Sequence, residues 1–176
     1  MDATHACLDR DLTPEAFFRS AQLAIRENPA NAPVEPSPRE VMPGVMLNGT
    51  LVAALTGKLW RPGRTLRCRF LDGDRKVIER CIPYAREWEK SANVKFDFGN
   101  DANAEIRISF KYRGSWSFVG TDALAVESDE ATMNFGWLNA DSPADEYARV
   151  VTHEFGHALG LIHEHQNPSA NIPWNK

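Results

Sequence analysis

The tightest constraint in this sequence is HEFGHALGLIHEH, from His153 to His165, which holds four of the five histidines in 176 residues. His153 and His157 are four apart, so on a helix they share one face, about 6 Å from each other along the axis. Two imidazoles at that spacing can share one tetrahedral ion. Glu154 is rotated about 100° from His153. It reaches the rim of such a site without being a ligand, where a carboxylate can take a proton from metal-activated water. His163 lies six residues past His157, and a continuing helix would swing it roughly 240° off that face. A shared ion therefore requires the helix to stop and the chain to turn back. Gly160 sits at the required place, and glycine adopts the left-handed conformation of a helix C-terminus at little steric cost. The candidate metal ligands are His153, His157 and His163, the candidate general base is Glu154, and the expected ion is Zn²⁺. The bland alternative is a set of surface histidines on an amphipathic helix, but the extended pattern fixes five positions at once. His165 is one ligand too many and reads as solvated. Glu164 is either a hydrogen-bond partner of the site or merely exposed. Gly156 reads as a close-packing residue, and His5 is uninformative.

The rest of the chain divides into zones. In residues 1–27, Thr13 is placed to cap a helix over about 14–27, with Pro14 at its first position and Glu15 in its first turn. Phe17, Phe18, Ala21, Ala24 and Ile25 give that helix an apolar face, expected to dock on the remainder. Residues 28–44 carry five of the eleven prolines and read as an extended linker poor in hydrogen bonds. Residues 1–44 thus form a candidate pro-segment, and residues 45–176 read as one mixed domain. Alternation in 65–70, 93–98 and 104–110 predicts strands, and 132–138 reads as another. The stretch 114–126 is an irregular edge strand or a loop. A helix is expected from Asp74 to Ser91, kinked at Pro83, with LDGD as its starting turn. Ser142 is placed to cap the last helix, with Pro143 in its first turn.

Composition narrows the function classes. Net charge is −4, which gives no basic field for nucleic acid. Apolar runs such as LVAAL (51–55) are far too short to span a membrane. The first residues, MDATHACLDRDLTPEAFF, carry acids early and no apolar core, so no secretory signal peptide is read there. Cys7, Cys68 and Cys81 do not make a disulfide framework. They read as reduced thiols, with a Cys68–Cys81 bridge as the alternative.

The extended motif resembles the metzincin zinc endopeptidases, whose signature is HExxHxxGxxH. His153, Glu154, His157, Gly160 and His163 match it position for position. HEFGHALGL is similar to the matrixins, whereas HEH and GSWSFVG (114–120) are more like the astacins. The resemblance implies an α+β fold: a twisted, mainly parallel sheet with one long helix and an active-site helix. It implies a zinc-dependent endopeptidase acting on protein or peptide substrates, and it suggests a secreted protein. It also implies an edge strand, here Ser115–Ala125, that pairs with the substrate. The family carries a methionine turn after the zinc motif. Here Met1, Met42, Met46 and Met133 all precede the motif and the chain ends at Lys176, so a truncated catalytic domain is the expectation. That departure motivates a second reading, a catalytically weak or inactive zinc- and peptide-binding module; a third class is a metal-free interaction domain. Members are often kept latent by a cysteine or aspartate on the metal. Cys7 in HACLDR is a candidate for that role although no switch motif surrounds it, and FLDGD (70–74) looks like an aspartate latency motif but reads as a turn.

Overall fold

The computed structural model describes residues 6–33 and 57–163. Five strands form one sheet: β1 (Arg64–Phe70), β2 (Val94–Phe98), β3 (Ile106–Ser109), β4 (Ser115–Ser117) and β5 (Met133–Phe135), in the order β2-β1-β3-β5-β4. The first four neighbours in that order run parallel, and β4 closes one edge antiparallel to β5. Helices α2 (Arg75–Arg86) and α3 (Ala144–Ala158) pack on the sheet, and α1 (Pro14–Glu27) lies outside it. This is the α+β fold with a mainly parallel sheet.

The alternation in the sequence sets which face carries the core. Leu66 and Cys68 of β1, Phe96 of β2, Ile106 and Ile108 of β3, and Met133 and Phe135 of β5 are all buried in one apolar cluster. Val77, Cys81 and Ala85 of α2 and Tyr147, Val150, Val151 and Phe155 of α3 complete it. The Phe155 ring meets Phe96 edge-on at 5.0 Å, which ties the C-terminal half of α3 to the sheet. The opposite face is held by charge. Glu105 is 4% exposed and accepts from Arg64 Nη2 at 2.8 Å and Arg67 Nη2 at 2.6 Å. Arg107, also 4% exposed, donates to the carbonyls of Ala104, Val126, Glu127 and Glu130, pinning the loop that leads into β5.

Several expectations are corrected. Only part of the expected face of α1 docks: Ala24 is buried as expected, together with Ser20, whereas Phe17 and Phe18 are 55% and 73% exposed. Small side chains win there because α1 sits close on the 3₁₀ turn Gly120–Ala125, where Ser20 Oγ donates to Asp122 and the Arg19 guanidinium to the Ala125 carbonyl. The start of the proline-rich stretch is not an extended linker. Asn28 caps a 3₁₀ turn over Pro29–Asn31, and Asn31 exchanges hydrogen bonds with Leu59. Residues 34–44 lie outside the described residues. The helix expected to Ser91 runs through Pro83, ends at Arg86 and tightens into a 3₁₀ turn, Glu87–Lys90, a common form for a final turn. Ser142 does not cap α3: its hydroxyl accepts from the Asn139 amide, and Pro143 holds the cap position without a side-chain bond. The strand expected over 132–138 is only Met133–Phe135, with one further bond in the same register from Gly136 N–H to the Gly114 carbonyl. Cys68 and Cys81 are buried free thiols with no bridge between them. Burial pushes the Cys81 thiol up to about 12.

Candidate metal centre

α3 places His153 and His157 one turn apart and ends at Ala158. Gly160 follows with φ +104°. Its N–H donates to the His157 carbonyl at 2.8 Å and Leu161 N–H to the Gly156 carbonyl at 3.0 Å, the paired bonds of a Schellman turn. The reversal brings His163 back over the helix. His153 Nε2 and His157 Nε2 are 3.0 Å apart, and they lie 3.2 Å and 3.3 Å respectively from His163 Nε2. Nitrogens bound tetrahedrally to zinc at about 2.0–2.1 Å would be separated by roughly 3.3 Å. The donor set therefore fits that ion.

The electrostatics suit it as well. His157 Nδ1–H donates to the Leu161 carbonyl at 2.8 Å, which leaves Nε2 bare for a ligand. Burial, with His157 and His163 alongside, holds the His153 imidazole down at about 4. Burial likewise lowers His157. Neutral imidazole is the form that binds metal. Glu154 is 1% exposed, and burial lifts its carboxyl to about 8. Such a group wants a proton or a nearby cation. Gly156 does serve close packing: an added Cβ would stand 3.2 Å from Trp88 Cζ2.

A fourth donor is present that spacing alone could not place. Cys7 Sγ lies 3.7 Å from His157 Nε2 and 3.8 Å from Glu154 Oε2, and the ligand atoms of Cys7, His153, His157 and His163 all fall within 4.8 Å of one another. Backbone bonds put it there. Leu8 N–H donates to the Ser115 carbonyl at 2.8 Å, and Ser115 N–H to the Ala6 carbonyl at 3.3 Å, so residues 6–8 pair in parallel with the outer edge of β4. Burial, then Glu154, raises the Cys7 thiol. The edge strand Ser115–Ala125 is shorter than expected, since a 3₁₀ turn begins at Gly120. A cleft of about 770 Å³ opens beside the cluster, lined in part by Cys7, Lys58, Ser117, Asp122 and His157. The FLDGD stretch is a turn whose acids are engaged locally: Asp74 caps α2, and Asp72 accepts from Ser109 and Phe110. His5, Glu164 and His165 lie outside the described residues. Among the described residues no helix is long and apolar enough to cross a membrane.

Comparison with known proteins points the same way. The chain matches the peptidase family described as Astacin over residues 57–171. It is 30% identical over 97 residues to the zinc metalloproteinase nas-36 of Caenorhabditis briggsae, covering 53% of this chain and 14% of that protein. It is 33% identical over 90 residues to a bone morphogenetic protein 1 homolog of Strongylocentrotus purpuratus, covering 49% and 12%. A solved structure of myroilysin shares 41% identity at a TM-score of 0.67, over 69% of this chain and 60% of that one. The chain thus spans a small part of these curated relatives and somewhat over half of the solved structure. Together with the HExxHxxGxxH residues at one point in space, the match over 57–171 makes this chain a member of the astacin family of peptidases.

Proposed function

We propose that residues 45–176 form a zinc endopeptidase domain and that the N-terminal segment, residues 1–44, holds it latent. In this reading His153, His157 and His163 are the zinc ligands and Glu154 is the general base. The single observation that carries it is the meeting of three imidazole Nε2 atoms within 3.3 Å beside a carboxylate that is 1% exposed. Zinc, when bound, supplies Lewis-acid polarisation of water and of the scissile carbonyl. The chain supplies the rest. Glu154 takes a proton from water and returns it to the leaving amine. The Leu161 carbonyl fixes the His157 ring. The edge of β4 offers main-chain partners to an extended protein or peptide substrate. Family resemblance supports export of the protein.

The same geometry supports latency. The segment carrying Cys7 fills the β4 edge, and its sulfur stands on the histidine cluster. A cation there favours thiolate, reversing the effect of burial.

The test uses the full chain loaded with zinc. Metal content near one per chain is expected for wild type, Cys7→Ala and Glu154→Gln. Cobalt substitution should show a sulfur-to-metal charge-transfer band in wild type that Cys7→Ala lacks. Cys7→Ala should cleave casein, and adding Glu154→Gln should lower that rate about 10²- to 10⁴-fold with zinc retained. Absence of zinc would refute the metal site. Zinc with no cleavage by Cys7→Ala would leave a non-catalytic zinc- and peptide-binding module in its place.

A further inference from the structure

The N-terminal segment crosses the sheet edge with a two-residue alternation. Cys7 and Asp9 turn inward: Cys7 Sγ faces His157, and the Asp9 carboxylate lies 3.5 Å from His163 Nδ1. Leu8 and Arg10 turn the other way. Leu8 covers Gly114, where a Cβ would stand 2.5 Å from Leu8 Cδ1, and the Arg10 guanidinium lies over the Trp116 ring, 4.1 Å from its centroid. That period is the one an extended peptide shows beside a strand.

Trp116 is unusual where it sits. It pairs in register with Asn134, on the sheet face opposite to the main core. It is only 3% exposed, yet it stands outside the core cluster. Its ring contacts are Tyr112 at 5.7 Å and Phe118 at 6.1 Å, and the guanidinium of Arg10 covers one face. Among the described residues its indole N–H is buried without a hydrogen-bond partner. A buried tryptophan usually satisfies that donor.

We propose that Trp116 is a specificity-determining residue, the floor of a subsite for a basic side chain of the peptide substrate, which Arg10 fills in the latent chain. This rests on the endopeptidase reading and names its substrate class: peptides with an arginine near the scissile bond. A peptide laid along β4 offers every second side chain to the Trp116 face, whichever way it runs. The indole face attracts a cation through its quadrupole, and a planar guanidinium adds stacking that an ammonium lacks.

The experiment takes the full chain carrying Cys7→Ala and Arg10→Ala, zinc-loaded, and a pair of peptides that differ only by arginine against citrulline. Citrulline keeps the shape and removes the charge. A kcat/KM ratio of about thirty in favour of arginine is expected, the worth of a desolvated cation–π contact. Trp116→Leu should bring the ratio to about one, and Trp116→Phe to an intermediate value. Equal rates for the two peptides, or a preference that persists in Trp116→Leu, would overturn the proposal. Should neither peptide be cut, the endopeptidase reading fails and binding decides the subsite alone. In that arm Arg10→Ala moves the indole N–H resonance that Trp116→Phe identifies, and N-acetylargininamide then shifts it saturably while the citrulline analogue does not. An equal response to both compounds, or none to either, would sink the subsite.

Discussion

Replacing Gly160 by alanine puts a methyl group on the one residue whose conformation turns His163 back to α3. The φ of +104° is positive, where an L-residue pays roughly 1–3 kcal/mol in backbone strain. The new Cβ would also stand 2.9 Å from Leu59 Cδ2. That atom is the end of a flexible side chain, so the contact adds a little strain rather than a wall. Alanine returns about 0.4–1 kcal/mol by restricting the unfolded chain. The net expectation is a loss of about 2 kcal/mol, or about thirtyfold in the folding equilibrium. If the backbone relieves the strain by rotating, His163 moves and part of the loss appears as weaker metal binding instead. Urea denaturation of the zinc-free chain and zinc competition with a chromophoric chelator measure the two shares. Gly57→Ala is the control: its Cβ would meet open space, and a change within about 0.5 kcal/mol is expected there. Gly160→Ala with wild-type stability and wild-type zinc affinity would refute the claim that this turn sets the third histidine.

Arg107→Met should cost about 3 kcal/mol or more in urea unfolding, because four inward carbonyls lose one guanidinium and each unsatisfied group costs about 1–3 kcal/mol. Glu105 gives a pH test. Its carboxyl is held below the usual range: burial would raise it, but hydrogen bonds from Arg67 prevail. A depressed folded-state value means that the stabilisation is full above the unfolded value of about 4.5 and is lost as pH falls through the folded one. Glu105→Gln should therefore be less stable than wild type at pH 7, by about 1–2 kcal/mol since both arginines are a third exposed, and the gap should narrow as pH falls below 4.5 and close once the folded-state carboxyl is protonated. A gap that widens in acid would contradict the assignment.

The candidate metal centre is legible in the sequence because its candidate ligands are local. Four-residue spacing fixes His153 and His157 on one face, and Gly160 can be read as the required reversal, so only backbone geometry within eleven residues is needed. The strands β1, β2 and β3 are legible from period-two patterns, whose alternate side chains fill one core, whereas their parallel pairing is implied only by the metzincin resemblance. Helix ends are less so. Ser142 has the right chemistry for a cap, but Asn139 claims its hydroxyl first. The docking face of α1 departs in part from expectation because hydrophobicity is an incomplete guide there: a close approach selects Ser20 and Ala24 and leaves Phe17 and Phe18 outward. Cys7 is the hardest to place. It lies 147 residues before Glu154, and only the pairing of residues 6–8 with β4 specifies where it goes. No short-range pattern encodes such a pairing. The available signal is the alternation Cys7, Leu8, Asp9, Arg10 ahead of the Thr13 cap.

The helix that follows this segment is moored to the same body, through Ser20 on Asp122 and Arg19 on Ala125 and Glu127. In the proposed latent state the sulfur is thus a tethered ligand, presented at an effective local concentration on the millimolar scale for a short connection. Dilution cannot dislodge it. One cut between Arg10 and Thr13 would turn that contact into an ordinary bimolecular one, and the released N-terminal fragment at nanomolar levels would diffuse away. Irreversibility then comes from the broken backbone and needs no further change in shape.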